Sequence, residues 1–275
     1  MDYYKFQINA AASDIEVLIA LFSLQPFDTF QEREGGFDAF LPATAWDENL
    51  ETWLREFQHE RGFTCHREFV PGQNWNVIWE SNFQPVIVGS FCAIRASFHP
   101  PIPSVRHELV ITPKMAFGTG HHETTFMVVE LMEQLDFTGK SVLDYGCGTG
   151  VLGILASRLG ASKIDAVDIE IQSFENAREN CQVNHVENME VFHGTLNAVP
   201  PANYGVVLAN INRNVILDSL PALSSIVVPE GTLVISGFVG EDGPLMKGAL
   251  QQHAFQHVET KAKGNWLAMV ARKQA

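Results

Sequence analysis

One run of nine residues constrains this chain more than any other: Val142-Leu-Asp-Tyr-Gly-Cys-Gly-Thr-Gly150. The apolar run ending in Asp144 reads as a strand. The glycines at 146, 148 and 150 read as a turn whose backbone approaches a ligand closely, and Val151 opens a helix whose first N–H groups have no partner inside it. The flanking sequence repeats this strand–helix rhythm. Residues 141–145, 164–168, 189–193, 205–210 and 232–236 read as strands, and 126–135, 151–159, 172–183 and 214–225 as helices. Parallel strands need a long crossover, usually a helix, so this alternation predicts an α/β fold, a Rossmann-like and mostly parallel sheet covered on both faces. Such sheets bind ligands at the carboxyl ends of their strands, where the strand order reverses.

The first hundred residues lack that rhythm. Residues 3–8 and 63–70 read as strands, while 14–24 and 48–60 carry apolar residues at helical spacing, for example Leu50, Trp53, Leu54 and Phe57. They predict a smaller α+β plait over residues 1–97. Residues 98–104 hold three prolines and read as a linker within 98–110, leaving 111–275 as the larger domain.

Composition narrows the function classes. With 18 basic and 32 acidic side chains the formal charge is −14, which repels nucleic-acid phosphates and suits a basic protein partner. Residues 1–99 carry 14 of the acids and only 6 of the bases. Cys65, Cys92, Cys147 and Cys181 are too scattered for a zinc knuckle or a disulfide framework. No cationic leader and no run of 18 apolar residues is visible. The expectation is a cytoplasmic monomer with no direct contact to nucleic acid or membrane and no bound metal.

A dinucleotide fingerprint needs its third glycine at position 151, which is Val151. The spacing is G-x-G-x-G preceded by an acid, and it resembles class I methyltransferases that bind S-adenosylmethionine. Asp144 then faces the ligand's ammonium group, directly or through water. Asp168, 18 residues beyond Gly150 at the end of the next strand, accepts the two ribose hydroxyls in preference to Asp165 or Glu170. Asn210, in Val206-Val-Leu-Ala-Asn-Ile-Asn212, turns its amide oxygen to an incoming amine, with Asn212 as the better helix cap. A fourth run, Met115-Ala-Phe-Gly-Thr-Gly-His-His-Glu-Thr-Thr125, reads as a loop folding over the cofactor. Its adjacent His121 and His122 lack the i, i+4 spacing of a helical zinc site, so His122 is read as a structural or substrate-contacting residue.

Together these four elements resemble the PrmA family, which methylates large-subunit ribosomal protein eleven. Phe117, Gly118, Thr119, Gly120, His122, Thr124 and Thr125 match the family loop F-G-T-G-x-H-x-T-T; residues 209–211 match Ala-Asn-Ile, and Ser236 and Gly237 match Ser-Gly. Trp75 to Trp79, followed by Phe83, Pro85 and Gly89, resembles the family's entry into the interdomain region. The chain departs from the family at Lys114, where Gly is usual after the proline, and at Glu123, where Pro is common. The resemblance implies methyl transfer from S-adenosylmethionine to lysine or N-terminal amines of that basic ribosomal protein. It also implies cofactor contacts at Thr125, Gly146, Asp168 and Asn210; Asp144, Gly148, Phe117 and Thr119 are further candidates. Asn210 and His122 are the candidate catalytic residues.

Overall fold

The structure is a computed structural model that describes residues 2–71, 83–113 and 118–275. Trp75 to Trp79, Lys114 and Phe117 lie outside the described residues. The chain divides into two compact units, Met1–Phe83 and Gln84–Ala275.

The first unit runs β1 (Tyr3–Asn9), α1 (Ile15–Phe22), β2 (Thr29–Arg33), β3 (Gly36–Pro42), α2 (Glu48–Arg61) and β4 (Thr64–Val70). Its sheet has the antiparallel order β2-β3-β1-β4, a β-α-β-β-α-β arrangement. Helix α2 is bounded by local chemistry. The Asp47 side chain accepts from Leu50 N at 2.8 Å, and Gly62 ends the helix in the left-handed region at φ +72°. Leu50, Leu54 and Phe57 turn one face of α2 onto a core of Phe6, Ile8, Phe22, Phe37 and Phe63. The β2–β3 hairpin escapes the sequence reading because β2 has no residue buried and therefore shows no apolar alternation.

The second unit opens with β5 (Val86–Val88), β6 (Cys92–Ala96) and β7 (His107–Ile111), a three-stranded sheet of its own. Residues 84–97 therefore belong to the larger unit, and the expected boundary at 97 is corrected to Phe83/Gln84. The proline-rich segment is not a linker but the crossover between the parallel strands β6 and β7. Arg95 holds it by donating to the carbonyls of Ala96 and His99 at 3.2 and 3.1 Å while pairing with Glu108. Prolines serve here because a crossover loop needs few backbone donors.

Then follow α3 (Glu123–Met132), β8 (Ser141–Tyr145), α4 (Val151–Arg158), β9 (Lys163–Asp168), α5 (Ile171–Val183), β10 (Met189–His193), β11 (Tyr204–Asn210), α6 (Arg213–Ile226), β12 (Val227–Val239), α7 (Gly243–Gln252), β13 (Phe255–Lys263) and β14 (Trp266–Lys273). The sheet order is β10-β9-β8-β11-β12-β14-β13, parallel from β10 to β12, with β14 antiparallel to both neighbours. The α/β reading thus holds. The chain winds from β8 outward to β10 and then returns to the other side of β8 with β11, so the order reverses between β8 and β11. Val142, Leu143, Val206, Val207 and Leu208, none of them measurably exposed, read as continuous apolar runs because both faces of these central strands are covered.

Candidate active site

A cavity of about 630 Å³ lies at that reversal. Its walls come from the carboxyl ends of the parallel strands: Tyr145, Gly146 and Gly148 after β8, Asp168 and Glu170 after β9, Thr195 after β10, and Asn210 to Asn212 after β11. His122 and Thr124 at the start of α3, and Trp266 at the start of β14, complete it. A small recess beside it is lined by Gly118, Thr125, Gly146, Gly148 and Asn210.

Steric limits explain the glycines. Gly146 has φ +72°, and a Cβ there would stand 2.0 Å from Cγ2 of Ile211. Gly237, in the β12 bulge at φ +101°, would place a Cβ 2.0 Å from the Ile211 carbonyl oxygen. Ile211 is thus threaded between two positions that only glycine satisfies, and its N–H donates to Ser236 O at 3.1 Å. The Ala-Asn-Ile and Ser-Gly motifs are two sides of one contact.

Asp168 stands at the cavity edge as expected. Its Oδ2 accepts from Gly148 N at 2.8 Å and its Oδ1 from Glu170 N at 2.9 Å, which fixes the carboxylate while each oxygen keeps a second lone-pair direction. Its backbone carbonyl accepts from Gly194 N at 2.8 Å. Asp165 is buried instead and accepts from the Tyr204 hydroxyl at 2.8 Å, so it serves the core.

Asp144 departs from expectation. It is 1% exposed, is absent from both cavity walls, and accepts from Gly153 N in the first turn of α4 at 2.9 Å. Its role is to cap the helix that follows the glycine turn, where a carboxylate meets unpaired N–H groups. Burial pushes its pKa up to about 7, against the Gly153 hydrogen bond and with help from the Asp168 charge.

Asn210 is 9% exposed and lines both the cavity and the recess. Its Nδ2 donates to Thr125 Oγ1 at 3.1 Å, while its Oδ1 is buried without a hydrogen-bond partner. A buried orphan acceptor costs about 1–3 kcal/mol, so it marks a place where a donor is wanted. Asn212 accepts from Val215 N at 3.2 Å and is the cap of α6, as the sequence reading has it.

His122 is the N-cap of α3, its Nδ1 3.3 Å from Thr124 N and 2.8 Å from Thr124 Oγ1. Its ring stands edge-on to Trp266, with centroids 4.7 Å apart. Thr119 is brought elsewhere: its hydroxyl meets His121 Nδ1 at 3.1 Å, and it lines neither the cavity nor the recess. Sequence reasoning missed Trp266, Thr195 and Tyr145. Tyr145 follows Asp144 directly and was within reach of the strand pattern, whereas Trp266 arrives from a hairpin more than a hundred residues beyond the glycine turn.

The profile of the ribosomal protein L11 methyltransferase family, PrmA, matches residues 21–274. The ribosomal protein L11 methyltransferase of Phocaeicola vulgatus is 36% identical over 258 residues, covering 92% of each chain. That of Porphyromonas gingivalis is 37% identical over 247 residues, covering 88% of this chain and 85% of its own. The crystal structure of the ribosomal protein L11 methylase of Lactobacillus delbrueckii subsp. bulgaricus superposes with a TM-score of 0.65 at 26% identity, over 70% of this chain and all of that one. A methyltransferase of Pyrococcus furiosus, at TM-score 0.53 and 16% identity, shares the fold.

Proposed function

The chain belongs to the ribosomal protein L11 methyltransferase family, and from that membership we propose that it transfers methyl groups from S-adenosylmethionine to lysine or N-terminal amines of ribosomal protein L11. The observation that carries this reading is Asn210, whose buried amide oxygen lacks a donor at the wall of the cavity.

The residues present suit the cofactor. Asp168, held by two backbone N–H groups, offers its remaining lone pairs to a pair of vicinal hydroxyls. Gly146 and Gly148 remove side chains from the closest approach, and Thr125 with Asn210 forms the polar wall of the recess. Bound there, S-adenosylmethionine supplies a methyl group on a sulfonium, whose sulfur leaves as a neutral thioether. The chain's work is alignment of the amine. The amine must arrive neutral, because its lone pair forms the new C–N bond as the C–S electron pair returns to sulfur. A lysine of unperturbed pKa near 10.4 is almost wholly protonated at pH 7, and a site that withdraws it from water favours the neutral form. Asn210 Oδ1 would accept one amine N–H and so orient the amine, with the backbone carbonyl of Ile211 as a further candidate acceptor. His122, held by its capping contact with Thr124, closes the amine side together with Trp266.

The first unit recognises the protein substrate. Its residues 1–83 carry 14 acidic and 5 basic side chains, a field that steers a basic ribosomal protein toward the chain. Among the described residues no helix is long and apolar enough to cross a membrane. The enzyme acts as a cytoplasmic monomer on the protein, without direct contact to nucleic acid. Incubation with methyl-labelled cofactor and a total ribosomal-protein extract tests this. Label in one band, that of L11, is expected; label confined to another protein or to small amines overturns the substrate, and no label at all overturns the activity.

A further inference from the structure

Three asparagines recur every fourth residue, Asn176 and Asn180 within α5 and Asn184 at its C-cap, and all are buried. A spacing of four puts them on one helix face. Buried amides on a helix are unusual unless satisfied, and these are satisfied by the backbone of Val110 in β7 and of Thr112 just beyond it. Asn184 both accepts from Val110 N at 2.9 Å and donates to Val110 O at 2.6 Å. Asn180 accepts from Thr112 N at 2.8 Å, and Asn176 donates to Thr112 O at 3.0 Å. The three side chains thus stand where a neighbouring strand would, along the edge of β7.

Asn180 does one thing more. Its Nδ2 donates to the carbonyl of Thr149, in the middle of the glycine turn, at 2.9 Å. Beside it Ala177 packs so closely that a Cβ on Gly150 would lie 3.1 Å from the Ala177 Cβ. Thr149, itself fully buried, passes the link on: its hydroxyl donates to Gly118 O at 2.7 Å. Gly118 has φ +101°, and a Cβ there would meet that same hydroxyl at 3.0 Å. Gly118 faces Gly146, Gly148, Thr125 and Asn210 across the recess.

We propose that Asn180 and Thr149 are positioning residues for the cofactor: the asparagine ladder of α5 sets the glycine turn, and the Thr149 hydroxyl carries that position across to Gly118, holding the two walls of the recess at one separation. Neither side chain lines the cavity or the recess, so neither is a catalytic residue. The inference rests on the reading of the cavity as an S-adenosylmethionine site. If it holds, loss of the link weakens cofactor binding and leaves the chemical step of the loaded enzyme nearly untouched.

Thr149→Val keeps the side-chain shape and removes the donor, whereas Thr149→Ser keeps the donor and removes a methyl group. S-adenosylhomocysteine affinity is measured by calorimetry on the full chain, with cofactor KM and kcat measured alongside. Thr149→Val is expected to weaken binding and raise cofactor KM by roughly tenfold, with kcat at saturating cofactor within about threefold of wild type. Thr149→Ser is expected to restore affinity, a rescue that a packing role for the methyl group would not give. Should Thr149→Val fail to fold, Thr149→Ala removes the same donor without adding bulk. Unchanged affinity in the donor-less variant, or equal losses in the valine and serine variants, overturns the inference. A wild-type chain that does not bind S-adenosylhomocysteine overturns the reading of the site beneath it.

Discussion

Of the polar and charged side chains buried among the described residues, Asp38 alone belongs to residues 1–83, and twelve belong to residues 84–275. Asp38 is neutralised where it stands by Lys5 at 2.8 Å and Arg33 at 3.0 Å, which hold its pKa below the usual carboxylate range against the cost of burial. The first unit is otherwise held by rings. Phe22 alone meets Phe27, Phe37, Trp53, Phe57 and Phe63 at centroid separations of 5.1 to 5.9 Å, mostly tilted or edge-on, the arrangement that aromatic quadrupoles favour. In the second unit six of the twelve buried polar groups gather around the glycine turn: Thr124, Thr125, Asp144, Thr149, Asn180 and Asn210. Apolar packing fills space without specifying a direction. Hydrogen bonds between buried groups fix direction, and a site that must align three atoms needs them.

The comparison predicts that the two units fail differently. Phe22→Ala removes the centre of the ring cluster and is expected to destabilise the first unit by about 3–5 kcal/mol while S-adenosylhomocysteine affinity is kept. Denaturant unfolding followed by aromatic circular dichroism, beside calorimetry, checks this; loss of ligand affinity in parallel with stability would break the distinction. Asp144 gives the next effect, and its sign follows from linkage. Its folded pKa, pushed up to about 7, lies above the value of about 3.9 expected in the unfolded chain. Its proton therefore stabilises the fold fully below pH 4, and that contribution is lost as pH rises through 7, on the order of 4 kcal/mol in all. Asp144→Asn keeps an acceptor for Gly153 and has nothing to titrate, so it should gain stability on wild type as pH climbs from 4 to 8. A difference between the two that stays flat over that range would place Asp144 in an ordinary solvated setting. The smallest of the three is Asp168→Ala, expected to weaken S-adenosylhomocysteine binding by about 1.5–3 kcal/mol, with the melting temperature near that of wild type. Unaltered affinity would move the hydroxyl contact to another residue.

How far each unit was legible follows from the same contrast. The parallel sheet was readable because its central strands are apolar on both faces and β8, β9 and β11 are each followed by a helix pattern, and the cavity lies at its reversal, where the topology rule puts a ligand site. Asp168 and Asn210 could be singled out as candidates because strand ends in such a sheet converge on one place, and both line the same cavity. The burial of Asp144 against α4 was not legible, because an acid at a strand end looks the same whether it turns toward a ligand or back onto the next helix. Gly153, where a Cβ would lie 3.2 Å from Asp144 Oδ2, holds the answer and is silent in sequence. The boundary at residue 97 was misplaced because prolines mark a crossover loop as readily as a linker. Trp266 was missed because no local pattern ties a hairpin at the far end of the sheet to the start of α3. Asn176, Asn180 and Asn184 carried no signal in the sequence reading, and only the strand edge beside them shows why this face is buried.

On the proposed function, the unpartnered oxygen of Asn210 orients the attacking amine. Single-turnover methyl transfer to purified ribosomal protein L11, at saturating cofactor and substrate, compares wild type with Asn210→Ala and is read by intact mass. A rate lower by roughly ten- to a thousandfold is predicted, the equivalent of about 1.4–4 kcal/mol supplied by one positioned polar group. Transfer at the wild-type rate under those conditions would contradict the account, leaving Asn210 as a cofactor contact and the orientation of the amine to other groups.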